Sequence, residues 1–178
     1  MKIFWDFDGT LYQFLKVGPD EWAAAGYSRK LSLLSESIAP MLSILNNMPK
    51  DLCGEKIENY LLSAVVSDEA REDKIWKINN DNLPISVENM IFVRYGESKA
   101  DAIKQMGIEI GKGDLFIDDY TPNLNDMDEL LTCVKMLNGI NDTHGSWKGS
   151  RISAFASPMA IVRDLLAISY ADRQQIAA

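Results

Sequence analysis

Histidine occurs once in these 178 residues, as His144, and cysteine only twice, as Cys53 and Cys133. A single histidine rules out a multi-histidine metal site and gives little support to a serine–histidine hydrolase. The two cysteines lie far apart without CxxC spacing, so neither a zinc site nor a disulfide framework is expected, and a reducing, cytoplasmic setting fits them. No stretch approaches the ~18 uninterrupted apolar residues of a membrane span, and the N-terminus runs straight into a strand-like segment without an apolar signal region. A soluble protein is therefore expected. Basic residues are also in deficit: 18 Lys and Arg stand against 26 Asp and Glu, a formal charge of −8. That balance argues against a nucleic-acid polymer or a membrane surface as partner, since both recruit basic patches. An anionic small-molecule substrate would need a local cationic site, and any catalysis must lean on carboxylates.

What is present suffices for one folded domain over 1–178, for 47% of the residues are hydrophobic. Ile3, Phe4, Trp5 and Phe7 mark a first buried strand over 2–7, closed by Gly9-Thr10. Trp22, Ala23, Leu31 and Leu34 suggest short helical pieces between Gly18 and Glu36, and the segment of about 14–38 reads as a small helical insertion after that strand. A clearer helix opens at Pro40 and runs through Met48. Pro49 to Glu58 reads as a loop, Tyr60-Leu61-Leu62 as a second strand ending near Ser63, and Ser67 to Asn80 as a helix. The third strand is Met90 to Tyr95, followed by Ser98 as the N-cap of a short helix that Gly107 ends. Leu115-Phe116-Ile117 forms a fourth strand, and Leu124, Met127, Leu130 and Leu131 a helix. Cys133 to Leu137 and Arg151 to Phe155 give two more strands, before a last amphipathic helix capped by Ser157-Pro158. This alternation predicts an α/β fold, Rossmann-like, with a mostly parallel sheet and helices on both faces.

Polar residues fall where such a sheet binds ligands, beyond the carboxyl ends of the strands. Strand one ends in Asp6 and Asp8, strand two in Ser63, strand three leads to Lys99, and strand four ends in Asp118 and Asp119. Four carboxylates gathered there repel one another unless a divalent cation neutralises them, and an all-oxygen ligand set favours magnesium.

The stretch Asp6-x-Asp8-Gly9-Thr10, the strand-end Ser63, Lys99 and the Asp118-Asp119 pair resemble, in order, the four motifs of haloacid-dehalogenase phosphatases. The resemblance implies a Mg2+-dependent phosphomonoester hydrolase acting through an aspartyl-phosphate. Asp6 would then be the nucleophile, while Asp8 protonates the leaving oxygen and later activates water. Ser63, with Ala64 beside it, and Lys99 would bind the phosphoryl group, Lys99 aided by the amides at its helix N-terminus. The metal would be held by Asp6, by Asp8 through its backbone carbonyl, and by Asp119, with Asp118 either a second ligand or an outer partner. Ser67, ahead of Asp68-Glu69, reads instead as a helix cap.

Three further features resemble the 5'(3')-deoxyribonucleotidase branch: the helical insertion, the Asn80-Asn82-Leu83-Pro84 stretch, and the run from Phe116 to Leu124. They imply a (deoxy)nucleoside monophosphate as substrate, with sugar phosphates or nucleic-acid ends as the alternative and a non-catalytic nucleotide- or phosphate-binding domain as the rival. Phe14, Trp22 and Tyr27 could stack on a base or simply pack the insertion. Seen in isolation, Lys99 could equally be a surface lysine, and Asp118-Asp119 a helix-entry turn. His144 and Trp147 read as packing or surface residues. Oligomeric state is not legible.

Overall fold

The computed structural model of the chain describes residues 1–14, 32–34, 36–142 and 146–176. In chain order the described elements are β1 (Lys2–Trp5), β2 (Tyr12–Phe14), β3 (Ser32–Leu34), α1 (Ile38–Asn47), β4 (Glu58–Val65), α2 (Asp68–Asn80), a short 3-10 turn (Val87–Asn89), β5 (Met90–Arg94), α3 (Lys99–Gln105), β6 (Leu115–Asp118), α4 (Thr121–Met127), β7 (Thr132–Leu137), β8 (Ser150–Ser153) and α5 (Pro158–Ile176).

Six of the strands form one sheet in the order β5-β4-β1-β6-β7-β8, and every pairing in it is parallel. The chain builds outward from β1 through β4 to β5, then returns to lay β6 against the other side of β1. That reversal places a crevice beyond the carboxyl ends of β4, β1 and β6, where open α/β sheets take their ligands.

The β1 sequence explains why it sits at the centre. Successive side chains of a strand point to opposite faces, so a strand apolar over the consecutive residues Ile3, Phe4 and Trp5 must be covered on both. Ile3 and Trp5 enter one apolar layer with Met41, Leu42 and Leu45 of α1 and Ile161 and Leu165 of α5. Phe4 enters the other with Ile103 of α3, Phe116, and Leu124 and Met127 of α4. The polar edge of Trp5 is satisfied, for its indole Nε1 donates to Asn59 Oδ1 at 3.0 Å.

Several boundaries differ from the sequence expectation. Strand β4 begins at Glu58 and continues to Val65, so Ser63 lies within it rather than at its end. Pairing with Lys2 of β1 recruits Glu58, and pairing with β5 extends the strand to Val65. Helix α4 stops at Met127, yet Leu131 remains buried because the turn after the helix folds it into the same layer. The expected helical insertion falls mostly on residues 15–31 and 35, outside the described ones. At its two ends the described chain is extended: β2 and β3 pair antiparallel, Tyr12 opposite Leu34. Leu34, expected on a helix, is therefore a strand residue. Tyr12 anchors this stem, stacking on Phe7 at 4.3 Å and donating its hydroxyl to Asp81 Oδ2 at 2.8 Å. Burial and that bond hold the phenol well above its ordinary pKa.

Trp5→Ala should lower the unfolding free energy by about 3–5 kcal/mol, the range for a large aromatic truncated in a packed core. It also strips Asn59 of its donor. A urea denaturation midpoint within error of wild type would show that β1 is not the packing centre.

Candidate active site

Two buried ammonium groups organise the rim of the sheet. Lys99, on the first turn of α3, reaches across the end of β1: its Nζ is 2.7 Å from Asp6 Oδ1 and 2.7 Å from Asp118 Oδ2. Ser98 fixes the start of that helix by accepting from Asp101 N at 3.1 Å. Asp126 Oδ2 takes the Ala100 amide at 3.4 Å. The Ala100 and Asp101 amides of the first turn thus have protein acceptors. Burial alone would lower the Lys99 ammonium, but the Asp118 and Asp6 carboxylates outweigh it and hold the group above the ordinary lysine range.

The second ammonium belongs to Lys74 of α2, which the motif reading did not include. Its Nζ lies 2.6 Å from Asp8 Oδ2, 2.8 Å from Ser63 Oγ and 2.7 Å from the Ala64 carbonyl oxygen. Lys74 is only 1% exposed. A signal for it was present, since Ala70, Lys74 and Ile78 recur every fourth residue and form the buried stripe of their helix. A lysine on such a stripe must find counter-charges inside the protein. The expected phosphate ligand Ser63 is fully buried with Lys74 on its hydroxyl, while Ala64 lines the open cavity. Ser67 caps α2, accepting from Ala70 N at 3.1 Å, as expected of it.

The acidic groups converge. Single oxygens of Asp6, Asp118 and Asp119 lie within 4.8 Å of one another. The backbone brings them there through β1–β6 pairing, with Asp6 N donating to Ile117 O at 2.9 Å. Asp118 is engaged at both oxygens: Oδ1 accepts from Tyr120 N at 2.7 Å, and Oδ2 from Asn123 Nδ2 at 2.8 Å as well as from Lys99. Asp119 is held differently, by two neutral carboxamides that both fall on Oδ2: Asn138 Nδ2 at 2.9 Å and Asn141 Nδ2 at 2.6 Å. Asn138 also donates to the Gly9 carbonyl at 2.7 Å, tying the first loop to the end of β7. Asn138 follows β7 directly, so the strand-end logic applied to the first four strands, carried to the fifth, would have found it. Gly9 itself has a φ of +73°, and a Cβ there would collide with the Asp119 carboxylate.

Burial pushes the Asp118 and Asp119 carboxyls above the ordinary carboxylate range, and Asp6 adds to this by repulsion. Lys99 opposes the shift at Asp118, and the two asparagines oppose it at Asp119. Four carboxylates, Asp6, Asp8, Asp118 and Asp119, are met directly by two ammonium groups, Lys74 and Lys99. Lys135, also buried and acted on by the Asp119 and Asp118 charges, adds a third ammonium nearby, so the lysines offset the acidic cluster in part and leave room for a cation. The donors near Asp119 and Asp6 are all hard oxygens, which suits magnesium. Asp119 and Asp6 are the carboxylates best placed to hold such an ion, with the Asp118 oxygens already occupied as an outer partner's would be.

Asp6, Asp8, Ala64, Val65, Val66, Ala70, Lys74, Tyr95, Lys99 and Asn123 line a cavity of about 340 Å³ over these groups. Its floor is charged and its walls are mostly apolar. Of the expected base-stacking aromatics, Trp22 and Tyr27, and the side chain of Phe14, fall outside the described residues, as does His144. Trp147 is buried against the α3–α4 side of the sheet, in keeping with a structural role.

No protein-family profile and no curated protein matches the sequence. Solved structures do match in fold. A haloacid dehalogenase-like family hydrolase of Streptococcus pneumoniae superposes with a TM-score of 0.61 at 12% identity, covering 91% of this chain and 96% of its own. A haloacid-dehalogenase-superfamily hydrolase of Ehrlichia chaffeensis gives 0.56 at 14% identity over 94% and 96%. The fold of this chain is thus that of the haloacid-dehalogenase hydrolases, as the sequence alternation and motif order led one to expect. Among the described residues, no helix is long and apolar enough to cross a membrane.

Because Asp118 and Asp119 are shifted upward, binding of a cation beside them should expel protons at mildly acidic pH. Calorimetric titration with Mg2+ is expected to give an enthalpy that changes with the ionisation enthalpy of the buffer, and Asp119→Asn should abolish most of the binding. A buffer-independent enthalpy would place the metal elsewhere.

Proposed function

We propose that the protein is a magnesium-dependent phosphomonoester hydrolase of the haloacid-dehalogenase superfamily that works through an aspartyl-phosphate on Asp6, with (deoxy)nucleoside monophosphates as its substrate class. The observation that carries this reading is the Lys99 bridge between Asp6 and Asp118. It gathers three residues distant in sequence at the crevice of the sheet and leaves one Asp6 oxygen directed elsewhere.

Asp6 Oδ1 accepts from Lys99, so Oδ2 is the oxygen that attacks phosphorus. As the P–O ester bond breaks, the leaving oxygen takes the proton carried by Asp8. A water then attacks the phosphorus of the acyl phosphate and gives a proton to Asp8, and the bond between phosphorus and Asp6 breaks. Inorganic phosphate departs with both carboxyl groups restored. Lys74 fixes Asp8 through Oδ2, which sets where the other carboxyl oxygen points. Lys74 and Lys99 both line the cavity and together offer the phosphoryl group two cations. Magnesium held by Asp6, Asp119 and the Asp8 carbonyl would supply further neutralisation of phosphoryl charge. A soluble, cytoplasmic enzyme with a small-molecule substrate is the setting that the acidic surface and the cysteine usage favour.

Asp6→Asn should reduce phosphate release from deoxynucleoside monophosphates by on the order of a thousandfold or more, as loss of a covalent nucleophile does. Equal release by wild type and variant in the presence of magnesium would defeat the hydrolase reading. Lys74→Met should cut kcat by on the order of 10²-fold, comparable to removing one preorganised donor. Steady-state kinetics showing a change in KM alone would confine Lys74 to binding.

A further inference from the structure

We propose that Tyr95, with Val66 beside it, forms the leaving-group wall of this site, and that the site selects monophosphates of alcohols carrying a flat aromatic or heteroaromatic ring. The inference rests on the hydrolase reading for the identity of the floor and goes beyond it in naming what contacts the rest of the substrate.

Both residues line the same cavity as Asp6, Asp8, Lys74 and Lys99. Tyr95 is 80% exposed and Val66 66% exposed, the two most exposed groups on that wall. A lone exposed apolar side chain needs no explanation, but two flanking the mouth of a cavity with a charged floor form an amphipathic slot. Their backbones are fixed, because Tyr95 N donates to Val65 O at 3.0 Å, continuing the β4–β5 ladder past its last pair. The Tyr95 ring itself makes no ring stack or hydrogen bond among the described residues. Ala64, Val65 and Ala70 complete the wall with small or buried apolar groups, leaving the tyrosine, among the described residues, as its one large flat surface. A phosphoryl group seated between the two lysines would present its ester substituent to this wall. A sugar phosphate would find few hydrogen-bond partners there, whereas a planar ring could lie against the phenol face.

The test measures kcat and KM for thymidine monophosphate, p-nitrophenyl phosphate and glycerol phosphate in wild type, Tyr95→Ala and Tyr95→Phe. The ratio of kcat/KM for aromatic over aliphatic ester should fall about tenfold in Tyr95→Ala, through KM, and be retained in Tyr95→Phe, as expected for loss of one stacking contact. A ratio unchanged in Tyr95→Ala, or a wild type that prefers glycerol phosphate, overturns the proposal. In an Asp6→Asn background, calorimetry should show thymidine monophosphate bound about tenfold more weakly after Tyr95→Ala, with inorganic phosphate affected far less. If wild type hydrolyses none of the esters but this binding difference persists, the hydrolase reading falls and the aromatic wall stands. Absence of binding to both ligands overturns the wall as well. Preference for thymidine monophosphate over p-nitrophenyl phosphate identifies the ring as a nucleobase, and the reverse a simple aryl group.

Discussion

Carboxylates crowded at the end of a parallel sheet are tolerable only if something of opposite charge is built in beside them, and here two lysine ammonium groups in direct contact with them supply part of it. Each comes from a helix rather than from the strands that carry the acids. Lys99 crosses from α3 to the ends of β1 and β6, and Lys74 crosses from α2 to the loop after β1 and to β4. A buried ion pair adds little net stability, because desolvation offsets most of the attraction, but removing one partner strands the other at a cost of about 3–5 kcal/mol. The two lysines therefore bind helix position to strand register. A slip of either helix would leave charge uncompensated, so the arrangement selects one geometry even where it contributes little to overall stability.

The third means of holding an acid is neutral. Asn138 and Asn141 satisfy one oxygen of Asp119 without cancelling its charge. That division suits a site in which one carboxylate pairs with a lysine while another stays available to a metal. Hydrogen bonding from outside orients a ligand and fixes which oxygen faces inward. The Asn138 contact with the Gly9 carbonyl extends the same network to the loop that carries Asp8.

Much of this was legible in the sequence because it obeys local rules. The apolar run Ile3 to Phe7 demanded a strand covered on both faces, and Asp6, Asp8, Lys99, Asp118 and Asp119 all stood where strands end or helices begin. Ser98 and Ser67 were readable as caps from their neighbours alone. Lys74 was legible only as a member of the Ala70–Lys74–Ile78 stripe, and its partners depend on which face of α2 turns inward in the packed protein. Ser63 was placed at the correct strand but at the wrong depth, since pairing with β5 carries that strand two residues further. Tyr95 was visible as the last residue of a strand, yet nothing local distinguishes an exposed tyrosine beside a cavity from one on open surface.

The topology also sets an order of assembly. β1 leads into Asp6 and Asp8, and its neighbour β6 follows more than a hundred residues later, as the pairing of Ile3 with Leu115 records. Asn138, which pins the first loop, comes later still. Contacts separated so widely in sequence form slowly, since the entropy of closing the loop is lost before any contact compensates for it. Until β6 docks, Asp6 has neither Lys99 nor Asp118 held against it in a fixed register. A nascent chain thus holds Asp6 without its partners, and the cluster is complete only when the centre of the sheet closes.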